Sequence, residues 1–504
     1  MPHTPDSVTP PIGPKTDYAQ PEVDYSQKWM IMLAVAMGIF LGTIDGSIVN
    51  VALPTLRDDF HTDLATVQWV VVSYLLVLTS MMLGIGRLGD MLGKKKIYMT
   101  GMVVFTAGSL LCGLAPTVGM LITFRVIQGA GAVMVQALGM GIVTEAFPRE
   151  ERGRALGILG TVVSVGISVG PTLGGLLIGT VGWRAIFLVN LPVGIVGVYL
   201  VRRYIPDWRP PGGQKFDIWG AALILFTLLL LALGLTLGPK NDWDTLTVPG
   251  LGAIQIAWLF IGSAVGLALF LIAELRIHQP MINLHLFRDS LFSISLLTGV
   301  MVFIMVSGTF VLPFYLEDVK GLSTAKTGLY MAVFPVALGI IAPLAGDLSD
   351  RFGSRGIALI GLVVSAAACV GMSTLDENTS TLGYVIRIFP LGLGVGMFQS
   401  PNNSAIMGAA PRDQIGVVSG LLSLSRTFGQ VIGVPIMGAI FASRVLAVVD
   451  LGAGVDATEA PPWALVEGVQ AMYLAVGGLI VVGVGFALLA VIMDRRRNLG
   501  GGIT

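Results

Sequence analysis

Four charged side chains stand inside long apolar stretches of this 504-residue chain: Asp45, Arg125, Arg387 and Arg426. A charge in such surroundings is costly and must be neutralised, paired or turned toward water. Desolvation favours the neutral form of a carboxyl group, so Asp45 is a candidate to take up and release protons. The alternative is a carboxylate fixed structurally by Arg125, or by its neighbours Ser47 and Asn50. A guanidinium stays protonated at every biological pH. Arg125 can therefore tune an acid or bind an anion, and it cannot itself carry a proton. Arg387 and Arg426 raise the same question later in the chain. Other chemistries find little footing. The four histidines (His3, His61, His278, His285) fall in the tail or in loops, and Cys112 and Cys369 are far apart in apolar segments, which suits buried thiols. With no ligand cluster and no GxxxxGK[ST] stretch, neither a metal, a cofactor nor directly bound ATP is expected, and catalysis is not expected either.

The elements around these residues are set by hydropathy. The chain is 54% hydrophobic and 12% charged, against about 25% charged for soluble domains. Mean hydropathy is +0.83. Fourteen segments between residues 29 and 493 offer the roughly 20 apolar residues that a helix needs to cross a bilayer. With both termini inside, 21 of the 30 lysines and arginines fall in cytoplasmic tails and loops, six fall outside and three lie within spans, as the positive-inside rule requires. Residues 1–28 hold six prolines and no apolar core, and so read as a disordered cytoplasmic leader. Residues 494–504 read as a cytoplasmic tail. Zero formal net charge gives no pull toward nucleic acid.

Two signatures occur twice. Gly86-Arg-Leu88-Gly-Asp90-Met-Leu-Gly93 is echoed 260 residues on by Gly346-Asp-Leu348-Ser-Asp350-Arg-Phe-Gly353. Pro148-Arg149-Glu150-Glu-Arg-Gly153 is echoed 263 residues on by Pro411-Arg412-Asp413-Gln-Ile-Gly416. Arg125, with Gly129 and Gly131, has a rough counterpart in Arg387, with Gly392 and Gly394. Parallel six-helix repeats are one way of building a secondary transporter, with the substrate site between the halves. Six helices and their loops take about 200 residues, so the offset leaves an insertion, which 216–273 supplies as two further helices. The expected fold is an all-α polytopic membrane protein: a six-helix bundle at 29–203, two inserted helices, and a second bundle at 290–493.

With these motifs in place, the chain resembles the major facilitator superfamily, in particular its fourteen-span drug:proton antiporters. Gly86-x-Leu88-x-Asp90-x-x-Gly93-x-Lys95 matches the signature of the loop between helices two and three. The resemblance implies a conformational latch there, echoed at Asp350. Gly166-x-x-x-Gly170-Pro171-x-x-Gly174-Gly175 matches the antiporter motif of the fifth helix, which is associated with exporters. Ile44-Asp45 through Asn50 and Pro54 match the first-helix motif. Arg125 with Gln128 and Gly129 matches a fourth-helix motif whose arginine is implied to assist proton transfer.

The cavity is less defined by sequence. Asn50, Gln128 and Arg387 are polar candidates, and Gln399 and Asn402 either line it or cap a helix. Phe310 and Phe334 belong to a set of aromatics that could form a permissive apolar pocket or serve as packing. Asp45 is the one acid well inside a span, while Glu145, Glu274, Glu317, Asp318 and Asp347 sit near helix ends. Neutral, zwitterionic or anionic amphiphiles therefore fit at least as well as cations. The expectation is a proton-coupled exporter of drugs or other amphiphiles, monomeric, in the cell membrane. The alternatives are export of an endogenous metabolite, lipid or amino acid, and proton-coupled import.

Overall fold

The computed structural model describes residues 25–148, 151–207, 218–241, 243–248, 252–277, 284–408, 415–449 and 455–500. Fourteen helices are long and apolar enough to cross a membrane. In chain order they are α1 Lys28–Asp59, α2 Leu64–Leu92, α3 Lys94–Gly113, α4 Val118–Ala146, α5 Arg152–Thr180, α6 Ala185–Tyr204 and α7 Ile218–Leu237. They continue with α8 Ile256–Arg276, α9 Ser290–Val319, α10 Thr324–Phe352, α11 Ser354–Met372, α12 Thr381–Gly408, α13 Ile415–Val448 and α14 Pro462–Gly500. "Inner" denotes the face of Lys28 and Arg495, where the basic residues concentrate.

The helices form two six-helix bundles, α1–α6 and α9–α14, with α7 and α8 as an inserted pair. The first inserted helix lies against α2 and α13 across the seam between the bundles, and its partner packs on it. Between them, Thr245–Val248 (β1) and Gly252–Gln255 (β2) pair antiparallel, with Thr245 opposite Gln255 and Val248 opposite Gly252. This ribbon is a small addition to an all-α membrane fold. Its strand residues are largely β-branched or small, and polar residues just before it (Lys240, Asn241, Asp244) bar that stretch from the bilayer.

Breaks in the helices have local causes. α9 tightens at Gly308–Val311 before Pro313 and ends in a wide turn over Tyr315–Val319. α10 is interrupted at Ala332, just before Pro335. The inner turns α2–α3 and α10–α11 each pivot on a glycine in the left-handed region, Gly93 (φ 93°) and Gly353 (φ 91°). In the outer α11–α12 turn, the Thr379 hydroxyl donates to Asp376 at 2.7 Å and holds its carboxyl below the usual carboxylate range.

The bundles meet at the outer face and part at the inner one. Gly175 of α5 and Gly328 of α10 approach backbone to backbone. A Cβ on Gly328 would lie 2.2 Å from the Pro171 carbonyl oxygen, and one on Gly175 would lie 2.5 Å from that of Thr324. Arg57 at the end of α1 grips Asp318 of α9 with two hydrogen bonds, of 2.8 and 3.2 Å. The Leu64 N–H at the start of α2 donates to Asp456 in the α13–α14 loop at 2.8 Å. Inward of this closure, a Cβ added at Gly157 or Gly160 of α5, or at Gly339 of α10, would meet nothing within 4 Å. Inner-face ion pairs between described side chains stay within one bundle: Lys28–Glu151, Lys94–Glu145 and Arg355–Asp494.

Candidate functional site

The antiporter-motif glycines form a ridge of small residues that lets α5 press on α1. A Cβ at Gly166 would strike Thr43, one at Gly170 the Ser47 hydroxyl (1.9 Å), and one at Gly174 Ile48. Close approach through small residues is how membrane helices gain packing energy without a hydrophobic effect between them. Ser47 strengthens this contact by donating to the Gly166 carbonyl at 3.3 Å. Pro171 and Gly175, each the residue after a ridge glycine, turn to the other bundle and meet Gly328. The motif therefore joins α1 to the seam between the bundles.

Asp45 sits on α1 next to this contact, turned into its own bundle and fully buried. Its Oδ2 accepts from Arg125 Nη1 of α4 at 2.5 Å, and its Oδ1 accepts from Gln128 Nε2 at 2.7 Å and Asn190 Nδ2 of α6 at 3.3 Å. Arg125 also donates Nη1 to Gln128 Oε1 (2.7 Å) and Nε to the Val70 carbonyl of α2 (2.9 Å). Its guanidinium lies 4.1 Å from the Tyr74 ring centroid. Ser109 of α3 accepts from Gln128 at 2.8 Å and from Asn190 at 3.4 Å. Five helices of the first bundle thus contribute to one network, and none of Asp45, Arg125, Gln128, Ser109 or Asn190 is more than 1% exposed. Buried ion pairs persist when further hydrogen bonds satisfy both partners, as they do here. The arrangement holds a carboxylate whose neutralisation would leave a guanidinium with no counter-ion in a dry interior.

The second bundle repeats the scaffold without the charges. Gly429 and Gly433 of α13 press on Phe303 and Ser307 of α9 as Gly166 and Gly170 press on Thr43 and Ser47. Ser307 is turned toward the Gln430 carbonyl at 3.5 Å. Gly394 meets Gly361 as Gly131 meets Gly101, and Gly392 meets Phe334 as Gly129 meets Tyr74. These contacts set the register at 260 residues for α9–α11 and 263 for α12–α13. Asp45 then corresponds to Met305, Ser109 to Cys369, Arg125 to Ile388 and Gln128 to Leu391, all of them fully buried.

The pairing of Arg125 with Arg387 is therefore corrected by one residue. A step of one residue turns a side chain by about 100° around the helix. Arg387 consequently points away from the position of Arg125 and toward the outer end of α12, where it donates to Thr374 Oγ1 (2.9 Å) and the Gly383 carbonyl (3.0 Å).

The other candidates separate. Gln128 lies fully buried in the network, and Phe310 is core at 1% exposure. Phe334 is buried beneath Gly392. Asn402 is buried and donates to the Ser295 carbonyl at 3.1 Å, joining α12 to α9. Asn50 and Gln399 are half-buried, and Asn50 Oδ1 has no protein partner. In the inner turns, Gly86 is half-buried beside open space, Gly93 takes its glycine-only conformation, Lys95 is half-buried and Asp350 is exposed. The Asp90 side chain lies outside the described residues, as does the leader up to residue 24. The sequence reading missed Asn190, Ser109 and Tyr74. A polar residue in an apolar span was a usable signal for the first two, and nothing marked the ring.

Known proteins agree with this architecture. The family model for the Major Facilitator Superfamily matches residues 35–434. This chain belongs to the Major Facilitator Superfamily. Its fourteen spans fit the drug:proton antiporter type within that superfamily. It is 35% identical over 83% of its length to the "Riboflavin transporter RibZ" of Clostridioides difficile, covering 89% of that protein. It is 34% identical to the "Multidrug resistance protein Stp" of Mycobacterium tuberculosis (84% and 77% covered). It is 32% identical to the "Tetracenomycin C resistance and export protein" of Streptomyces glaucescens (83% and 76%). Among solved structures, a bacterial homologue of the lysosomal transporter Spinster, inward-facing and unoccupied, superposes with a TM-score of 0.64 at 17% identity, covering 93% of this chain and 97% of that one. Members of this superfamily are transporters rather than enzymes, so this chain is a multi-pass membrane transport protein.

Proposed function

We propose that the chain is a proton-coupled exporter of drug-like or other amphiphilic small molecules, working as a monomer in the bacterial cell membrane with both termini in the cytoplasm. The observation that carries this reading is the dry Asp45–Arg125 pair, set on the same helix that the antiporter motif connects to the seam between the bundles. In the inner-open arrangement Asp45 accepts from three donors, Arg125, Gln128 and Asn190. A proton arriving from the outer side would neutralise it and leave Arg125 uncompensated, a change of several kcal/mol in a site of this burial. That energy, passed through α1 and the Ser47–Gly166–Gly170 contact, would separate Gly175 from Gly328 and open the outer face. Residues 29–203 and 290–493 would be the two moving bodies, and the inserted helix α7 lies across one seam between them. The turns at Gly93 and Gly353 would serve as the inner latch in the opposite state.

Export is favoured by the antiporter motif and by relatives named for resistance and export. The relative named as a riboflavin transporter favours a second reading, a planar metabolite as cargo. Proteoliposomes with an imposed pH gradient test both, with riboflavin, an aromatic polyketide and a cationic dye as probes. Accumulation of a probe against its gradient, on the side from which protons flow, supports proton-coupled antiport. Movement of probe and protons in the same direction would establish the importer instead.

A further inference from the structure

We infer that Arg426 is a binding site for an anionic group on the cargo, such as a carboxylate, phenolate or phosphate. The inference rests on the exporter reading for its role in transport, while the site itself stands on geometry. Arg426 lies eleven residues into α13, or about 16 Å from its inner end at 1.5 Å per residue. The apolar span of that helix runs Gly420–Val448, so Arg426 stands inside the span, in its inner part. It shares a helix face with Gly429 and Gly433, which press on α9, and its guanidinium lies 5.4 Å from the Phe303 ring centroid. Among the described residues no acid pairs with it, and its buried Nε has no acceptor. In the register of the repeat its counterpart in the first bundle is Val163, so the cation is an addition to the scaffold.

The contrast with Arg125 is instructive. Arg125 is sealed by a carboxylate, an amide, a carbonyl and a ring, whereas Arg426 is half-buried and its Nε has no acceptor. α13 packs on α9 and α14 of its own bundle and on α2 and α7, so Arg426 stands on a helix at the junction of the two bundles. An intramembrane arginine is tolerated where it pairs or reaches water. In the inner-open state water supplies that need. When the inner ends close, water must leave, and a bare guanidinium opposes closure. An anion bound at Arg426 removes the penalty through charge-assisted hydrogen bonds, while Phe303 offers an aromatic face to its apolar part. The carrier would then turn over with cargo more readily than without it.

The test is binding to the full-length protein in nanodiscs of zwitterionic lipid, at neutral pH, with two probes of matching shape: pyrenebutyrate, an anion, and pyrenebutanol, which is neutral. Wild type is expected to prefer pyrenebutyrate by about tenfold. Arg426→Gln is expected to abolish that preference while leaving pyrenebutanol affinity within about twofold, and Arg426→Lys, which keeps the charge, to retain most of it. Equal affinity for both probes in wild type would overturn the inference. So would a parallel loss of both in Arg426→Gln, since that marks a packing role. Binding needs no pH gradient: a protein that prefers the anion and fails to transport refutes the exporter reading alone, and one that transports without the preference refutes the site alone.

Discussion

Replacing Asp45 by Asn changes one oxygen for an amide nitrogen and removes a charge from a fully buried site. Both partners are at most 1% exposed and 2.5 Å apart. Each single variant, Asp45→Asn or Arg125→Gln, is therefore expected to destabilise the fold by about 3–5 kcal/mol, because it leaves the other charge buried and unpaired. The double variant has no charge to strand. Gln128, Asn190 and Ser109 can still bond to the amides, so its cost should be about 1–3 kcal/mol, chiefly for the lost contacts of Arg125 to the Val70 carbonyl and the Tyr74 ring. The expected coupling is thus about 3 kcal/mol or more, well above the roughly 0.5 kcal/mol scatter of independent sites. Equilibrium unfolding in mixed micelles, with all four proteins under the same conditions, measures it. Additive single and double variants would refute the reasoning, for they would mean that the two groups do not neutralise each other.

Four further outcomes follow from the packing. Gly328→Val would drive a Cβ to within 2.2 Å of the Pro171 carbonyl and should hold the outer face open, seen as a longer label-to-label distance across α5 and α10 by spin-label spectroscopy. Arg57→Ala removes the two-pronged contact with Asp318. That partly exposed pair should contribute on the order of 1 kcal/mol, so the outer-open population should rise about fivefold in the same measurement. Gly93→Ala and Gly353→Ala each force φ near 90° on a side chain and should lower stability by about 1–3 kcal/mol. Gly160→Ala, which meets open space within a helix, should leave stability unchanged or raise it by up to about 1 kcal/mol.

Much of the fold was legible because bilayers impose a length and a hydropathy on every span, and because the repeat offset exceeded six helices by the length of two. The β1–β2 ribbon was not, since four-residue strands carry little signal. In the site, Asp45, Arg125 and Gln128 were legible as polar groups in apolar helices. Their sealing was not, because it depends on Asn190 and Ser109 from helices distant in sequence. Arg387 misled through spacing: its glycine partners lie one position off those of Arg125, and only the packing of Gly392 and Gly394 against Phe334 and Gly361 fixes the register. Arg57 and Asp318, each at a span end, gave no sign of meeting, because contact between the two bundles depends on their conformation.

The central claim is that protonation of Asp45 drives the cycle. The most direct measurement is transport by the Asp45→Asn/Arg125→Gln double variant in proteoliposomes, since it is the charge-balanced form least prone to unfold. Probe exchange at equal pH should persist, and accumulation driven by a pH gradient should vanish while wild type retains both. Undiminished gradient-driven accumulation by the double variant would contradict the claim and place the coupling acid elsewhere.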